Sequence, residues 1–289
     1  MRRSLLILFV FGTPVFADST LLDLPALVRQ ALSGLNGEDD RRAEWGYTVN
    51  GERREFESNG KVKSQRTYMW KRELMDGHFV GISYERDGKP LTAEERARNR
   101  ETTRQRVAEL NALSPQERER RRAEARRKGK EEDSWIQELP EALTFQLVGE
   151  EMMNGRATYH LAADPKPGYQ PKNLRAKIFE KLRGHLWIDK GERELVRAEA
   201  EIFDTVGIGF GILGKVEKGT QFQIARRRLS DGVWLQESSR ARFQARVVFK
   251  SMSQESITRY SDFKHRRELE MVTQKPAVGS PVNARATQN

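Results

Sequence analysis

Apolar and polar residues alternate with a period of two along most of the chain, and the strands this predicts are separated by tight-turn pairs. Trp45, Tyr47 and Val49 fall on one face, as do Leu143, Phe145 and Leu147, then Ala157, Tyr159 and Leu161. Val196, Ala198, Ala200 and Ile202 alternate with Arg197, Glu199 and Glu201, and Val216, Thr220, Phe222 and Ile224 stand against Glu217, Gln221 and Gln223. The clearest run sets Ala241, Phe243, Ala245, Val247 and Phe249 against Arg240, Arg242, Gln244 and Arg246. One dry and one wet face per strand is the pattern of an antiparallel sheet covered on one side. Asn50-Gly51, Asn59-Gly60, Asp76-Gly77, Asp87-Gly88, Asn154-Gly155 and Asp231-Gly232 suit turns whose central residues need positive φ. The expected fold class is therefore mainly β with some α: an antiparallel meander. No strand-helix alternation points to a parallel sheet.

Two other patterns are helical. Leu21, Leu24, Val28, Ala31, Leu32 and Leu35 predict an amphipathic helix over 20–36, with Pro25 early and Asn36-Gly37 as its stop. Residues 92–138 predict a charged helical hairpin inserted in the sheet. Thr92 with Glu95 and Ser114 with Glu117 are capping boxes, and Pro115 stands at a first helical position. Between Ala93 and Glu132 its strongly apolar residues are only Val107, Leu110 and Leu113, so the hairpin is expected to project into solvent. Arg118, Arg121, Arg122, Arg126 and Arg127 are the candidates for contact with an anionic surface or partner, beside the plainer reading of a solvated face.

The N-terminus changes the compartment. Met1-Arg2-Arg3, the apolar run Leu5 to Phe11 and Val15-Phe16-Ala17 read as a cleaved signal peptide over 1–17, too short for a membrane-spanning helix. One domain, the meander with its helical insertion, is expected over 18–270 and a disordered tail over 271–289. With Cys 0 there is no cysteine to carry a lipid and no disulfide, so a soluble periplasmic location is expected. The net charge of +10 then points to anionic envelope surfaces rather than nucleic acid. A membrane barrel is the competing use of alternating strands, but the polar tail from Lys275 to Asn289 lacks a terminal aromatic strand.

Catalytic chemistry finds little support. His78, His160, His185 and His265 are isolated in sequence, no GxSxG is present, and no metal or other cofactor is expected. The chain is read as a non-enzyme. Gly207 to Gly214 superficially matches GxGxxG, but a strand rather than a helix follows it. It is either a strand bend or a flexible lip over a cavity. The segment 175–183 is read as a short amphipathic stretch that covers the sheet or touches a membrane.

The run Arg183-Gly184-His185-Leu186-Trp187-Ile188-Asp189-Lys190-Gly191, followed by Leu195-Val196-Arg197, resembles a hairpin of the outer-membrane lipoprotein-sorting family. The resemblance covers roughly residues 143–265, where alternation and turn pairs coincide. That superfamily includes periplasmic lipoprotein carriers and a regulator of the envelope stress response. The resemblance implies an open half-barrel curled around helices, with an apolar cavity for acyl chains. The charged arm is not part of that pattern. On this basis the expected function is a carrier or binder of an amphiphile or lipid-bearing cargo. Trp45, Trp70, Trp187, Phe210 and Ile212 are the candidate lining, with solid core as the plainer role for the same aromatics. The alternative is a sensor or interaction protein that docks a protein partner on the sheet and arm.

Overall fold

A computed structural model describes residues 22–35, 37–208, 214–247 and 250–274. The expected signal peptide, Phe210, Ile212 and residues 275–289 of the expected tail lie outside the described residues, while residues 271–274, expected to be disordered, are helical. The chain opens with helices Leu24–Ser33 (α1) and Glu38–Arg42 (α2), then strands Trp45–Phe56 (β1), Val62–Met75 (β2), His78–Arg86 (β3) and Lys89–Pro90 (β4). Helices Ala93–Ala112 (α3), Pro115–Asp133 (α4) and Leu139–Ala142 (α5) follow, a 3-10 turn Ser134–Glu138 lying between the last two. Strands Leu143–Met153 (β5) and Arg156–Pro165 (β6) precede a second 3-10 segment, Arg175–Lys181. After it come Leu182–Asp189 (β7), Leu195–Ile202 (β8), Val206–Ile208 (β9), Gly214–Val216 (β10) and Gln221–Arg228 (β11). Trp234–Val247 (β12), Lys250–His265 (β13) and helix Arg266–Gln274 (α6) end the described chain.

The strands form one antiparallel sheet in the order β4-β3-β2-β1-β13-β12-β11-β8-β7-β6-β5, with β10 paired to β12 and β9 paired to β10. The sheet is open, with β4 and β5 at its edges, so the fold is the mainly antiparallel, unclosed β architecture expected. Three of the predicted turn pairs carry positive φ at both residues: Asp76-Gly77, Asp87-Gly88 and Asn154-Gly155. Asn50-Gly51 does not turn. It lies inside β1, where the Tyr68 ring rests on Gly51, and a Cβ there would stand 1.9 Å from that ring. The missing side chain, not a φ requirement, explains that glycine.

Helix α1 begins at the Asp23 cap, whose carboxylate accepts from Ala26 N at 2.9 Å, and it ends at Gly34, earlier than the expected Asn36-Gly37. Its buried stripe, Leu27, Val28, Ala31 and Leu32, packs on Leu161, Leu186, Ile188 and Leu195. Those strand residues mark the concave face. Residues 175–181 cover the same face: Ala176, Ile178 and Phe179 pack on Ala163, Leu182 and Ile202, with Trp135 stacked on Phe179 at 5.3 Å. That segment covers the sheet, and burial of each large apolar side chain contributes about 1.5–3 kcal/mol.

The helical arm divides into unlike parts. Helix α3 lies against β3, with Val107 buried to 2 % and Arg100 paired to Glu73 at 2.8 Å. Helix α4 is solvated, as its polar composition requires, whereas Trp135 just beyond it belongs to the core. The expected projection into solvent therefore holds for α4 and not for α3. The arm also carries the chain from β4 to β5, from one edge of the sheet to the other.

Candidate functional site

Cross-strand register sorts the concave face into rows, since residues paired on adjacent strands share a face. One row holds Trp70, Val49 and Tyr260. The next holds Tyr68, Gly51, Thr258 and Ser239. A third starts with Arg66, Arg53 and Ser256, then continues through Ala241, Phe222, Ala200, Gly184 and Ala163. The face thus has two halves. Over β5 to β8 and β11 it is apolar and filled by α1 and the segment 175–181. Over β1, β2 and β13 it carries an aromatic patch and then hydroxyls and arginines.

The aromatic patch is built from Trp45, Tyr47, Val49, Leu229 and Leu235, with Trp70, Tyr260 and Phe263 partly buried against them. Tyr47 meets the Tyr260 ring at 5.5 Å and the Trp70 ring at 5.9 Å. From α2, Arg42 lies over the Tyr260 ring at 5.4 Å, and burial pushes the Tyr260 hydroxyl above its ordinary range. Beyond this patch Arg53 and Arg66 stand directly opposite one another and both are exposed. Like charges in that relation repel. Neither is paired with a carboxylate among the described residues, although Glu55 and Ser64 form the next row on that face. An unneutralised cation pair beside Tyr68, Ser256 and Thr258 is equipped to accept an anionic group.

A buried arginine fixes the boundary between the halves. Arg226 is 0 % exposed; its guanidinium donates to Glu194 at 2.7 Å, to Glu38 at 3.1 Å and to the Leu195 and Trp234 carbonyls at 3.2 Å. Glu38 also accepts from the Gln236 amide at 2.9 Å. These bonds join α2 to β8, β11 and β12.

Of the described lining candidates, Trp45 and Trp70 share one cluster and Trp187 stands apart from it. Trp45 is 4 % exposed, with its ring edge-on to His265 at 5.1 Å, and Trp70 borders the same cluster. Trp187 lies on the convex face, because its neighbours Leu186 and Ile188 point to α1. It packs there with Val196 and Trp234, and its indole N–H donates to Glu151 at 3.0 Å. Val196 was expected on the concave side with Ala198; a break in register beside Ile188 turns it outward. On the arm, Arg118 bonds the Asn111 and Leu113 carbonyls, Arg121 faces Glu117, Arg126 pairs with Glu119, and Arg127 pairs with Glu131. Arg122 is exposed on α4. Most of those cations are spent within the arm. Sequence reasoning missed Arg53 and Arg66, for which only strand register supplies the signal.

No described helix is long and apolar enough to cross a membrane. No family model matches the chain, and no curated protein matches it in sequence. Solved structures do match. A domain assigned to outer membrane lipoprotein sorting, from Vibrio parahaemolyticus, is 10 % identical, with 82 % of this chain and 92 % of that one covered and a TM-score of 0.31. A LolA superfamily protein from Nitrosomonas europaea is 12 % identical over 82 % of this chain and 93 % of that one, TM-score 0.21. The MucA/MucB complex of Pseudomonas aeruginosa gives 10 % identity over 81 % and 93 %, TM-score 0.21. Overlays this loose transfer no residue role.

Proposed function

We propose that this chain is an exported, non-catalytic binding protein that docks a protein partner through an acidic segment on the open half of its concave face. The observation that carries this reading is the division of that face. The greasy half is occupied by the chain's own Leu27, Val28, Ile178 and Phe179. The accessible half presents Arg53, Arg66, Tyr68 and Ser256. Polar and aromatic groups around uncompensated arginines suit an acidic peptide better than an acyl chain.

One observation favours a second reading, that of an amphiphile carrier. Ala163, Gly184 and Ala200 form a floor of small residues, and past Phe222 the same row continues through Ala241 toward Arg53 and Arg66. If the segment 175–181 lifts, that floor becomes a trough with cations at its end.

A photo-crosslinking amino acid at Ser256, used in the native host, separates the two. Protein adducts whose yield falls on Arg53→Ala support docking. Lipid adducts overturn it in favour of the carrier, and an absence of adducts overturns both.

A further inference from the structure

The convex face holds a second constellation, independent of the concave one. Three strands bring together Glu151 on β5, His160 on β6 and His185 and Trp187 on β7. His160 Nδ1 lies 2.7 Å from Glu151 Oε1, and the other carboxylate oxygen accepts the Trp187 indole N–H at 3.0 Å. The His160 ring is stacked on Trp187, with centroids 4.5 Å apart and planes 13° from parallel. Its side chain is 13 % exposed. The carboxylate fixes the tautomer: with its proton on Nδ1, His160 turns the Nε2 lone pair outward. That Nε2 meets Nδ1 of the exposed His185 at 2.9 Å.

We propose that His160 Nε2 and His185 Nδ1 form a chelating pair for a divalent transition-metal ion, with Glu151 as the carboxylate that orients His160. Metal-binding histidines regularly donate their second N–H to a carboxylate, and Glu151 supplies that group already locked by Trp187. Two nitrogens each about 2.0 Å from one ion and at right angles to each other stand about 2.8 Å apart, close to the separation seen. Right-angled nitrogen ligands are the tetragonal preference of Cu2+ and Ni2+, and Cu2+ heads the affinity order.

In the free protein His185 donates its Nδ1 proton to His160. On binding, the solvent-exposed His185 ring takes the other neutral tautomer, with its proton on Nε2, and turns the freed Nδ1 lone pair to the ion. No net charge is lost. The surroundings favour a cation although the chain is basic overall. The adjacent groove of about 260 Å³ is lined by Asp164, Glu199 and Glu201 against Arg183 alone. Arg183 is paired with Glu201, and Arg197, over the Trp187 ring, is paired with Glu199. Among the described residues the two imidazoles stand without a third protein ligand, so water completes the shell.

The test is Cu2+ titration of the purified full chain at neutral pH against a chromogenic chelator, with Trp emission followed in parallel. One ion per chain should bind and quench Trp187. His185→Ala should abolish both effects, and Glu151→Gln should weaken binding about 10–100-fold. His78→Ala and His265→Ala should leave the affinity unchanged, and electron paramagnetic resonance of the Cu2+ form should show imidazole nitrogen coupling. His185 is exposed, so its loss leaves the fold intact. Wild-type affinity in either His185→Ala or Glu151→Gln overturns the assignment, as does the absence of a stoichiometric ion in the wild type.

Discussion

The Arg156 guanidinium grips the buried Asp189 carboxylate at two points, Nε to Oδ2 at 2.6 Å and Nη2 to Oδ1 at 2.9 Å. Asp189 is 1 % exposed and also accepts from the Gly191 and Glu192 amides, which closes the turn between β7 and β8. Burial alone pushes this carboxyl up, but Arg156 and the two amides pull harder and leave it below its ordinary value. A carboxyl lowered on folding adds stability above its unfolded pKa of about 4 and loses it as the pH falls through the folded value. Arg156→Ala should therefore cost about 3 kcal/mol at neutral pH. The deficit should shrink in acid as Asp189 protonates. Urea melts of both proteins at pH 7 and pH 3 check this.

Arg226 should be among the least replaceable of the described side chains. Arg226→Met leaves Glu38 and Glu194 without their shared cation, at a cost of about 3–5 kcal/mol. The melting temperature should fall by on the order of 10 °C. Arg226→Lys should recover only part of this, because one ammonium cannot reach both carboxylates and both carbonyls. Thermal melts of the two variants measure the difference.

Arg53 and Arg66 give a prediction in which stability and function move in opposite directions. Arg66→Glu replaces a repulsive cross-strand pair by an attractive one and should stabilise the fold by about 0.5 kcal/mol. The same change should reduce crosslinking at Ser256. Chemical denaturation and adduct yield, measured on one preparation, test both halves.

Phe179→Ala should cost about 3–5 kcal/mol, since the ring is 1 % exposed under Trp135. It also empties space over the small-residue floor. A fluorescent fatty acid should bind this variant and not the parent protein; equal binding to both would favour the carrier reading.

Much of the fold was legible because alternation and turn chemistry are local. The pairs Asp76-Gly77 and Asn154-Gly155 set their hairpins outright, and Tyr47 and Val49 fell on the expected face. What failed was what depends on a partner strand. Gly51 looked like a turn because the Tyr68 ring above it sits seventeen residues away in sequence. Trp187 was placed with Trp45, although Leu186 and Ile188 already claimed the concave side of β7. The arginines of α4 looked free because their carboxylate partners lie on the same helix, and only side-chain geometry shows which of them are engaged. His160 and His185 looked solitary for the converse reason: β6 pairs with β7 in a register that sets them diagonally adjacent.

The route of the chain through α3 and α4 has one further consequence. Two stiff rods, about 30 Å and 28 Å long, link the opposite borders of an unclosed sheet. They act as a brace: the sheet cannot unroll unless α3 first peels from β3 or the joint at Leu113-Ser114 gives way. A segment that reads as ornament in the sequence thus limits how far the two borders of the sheet can part.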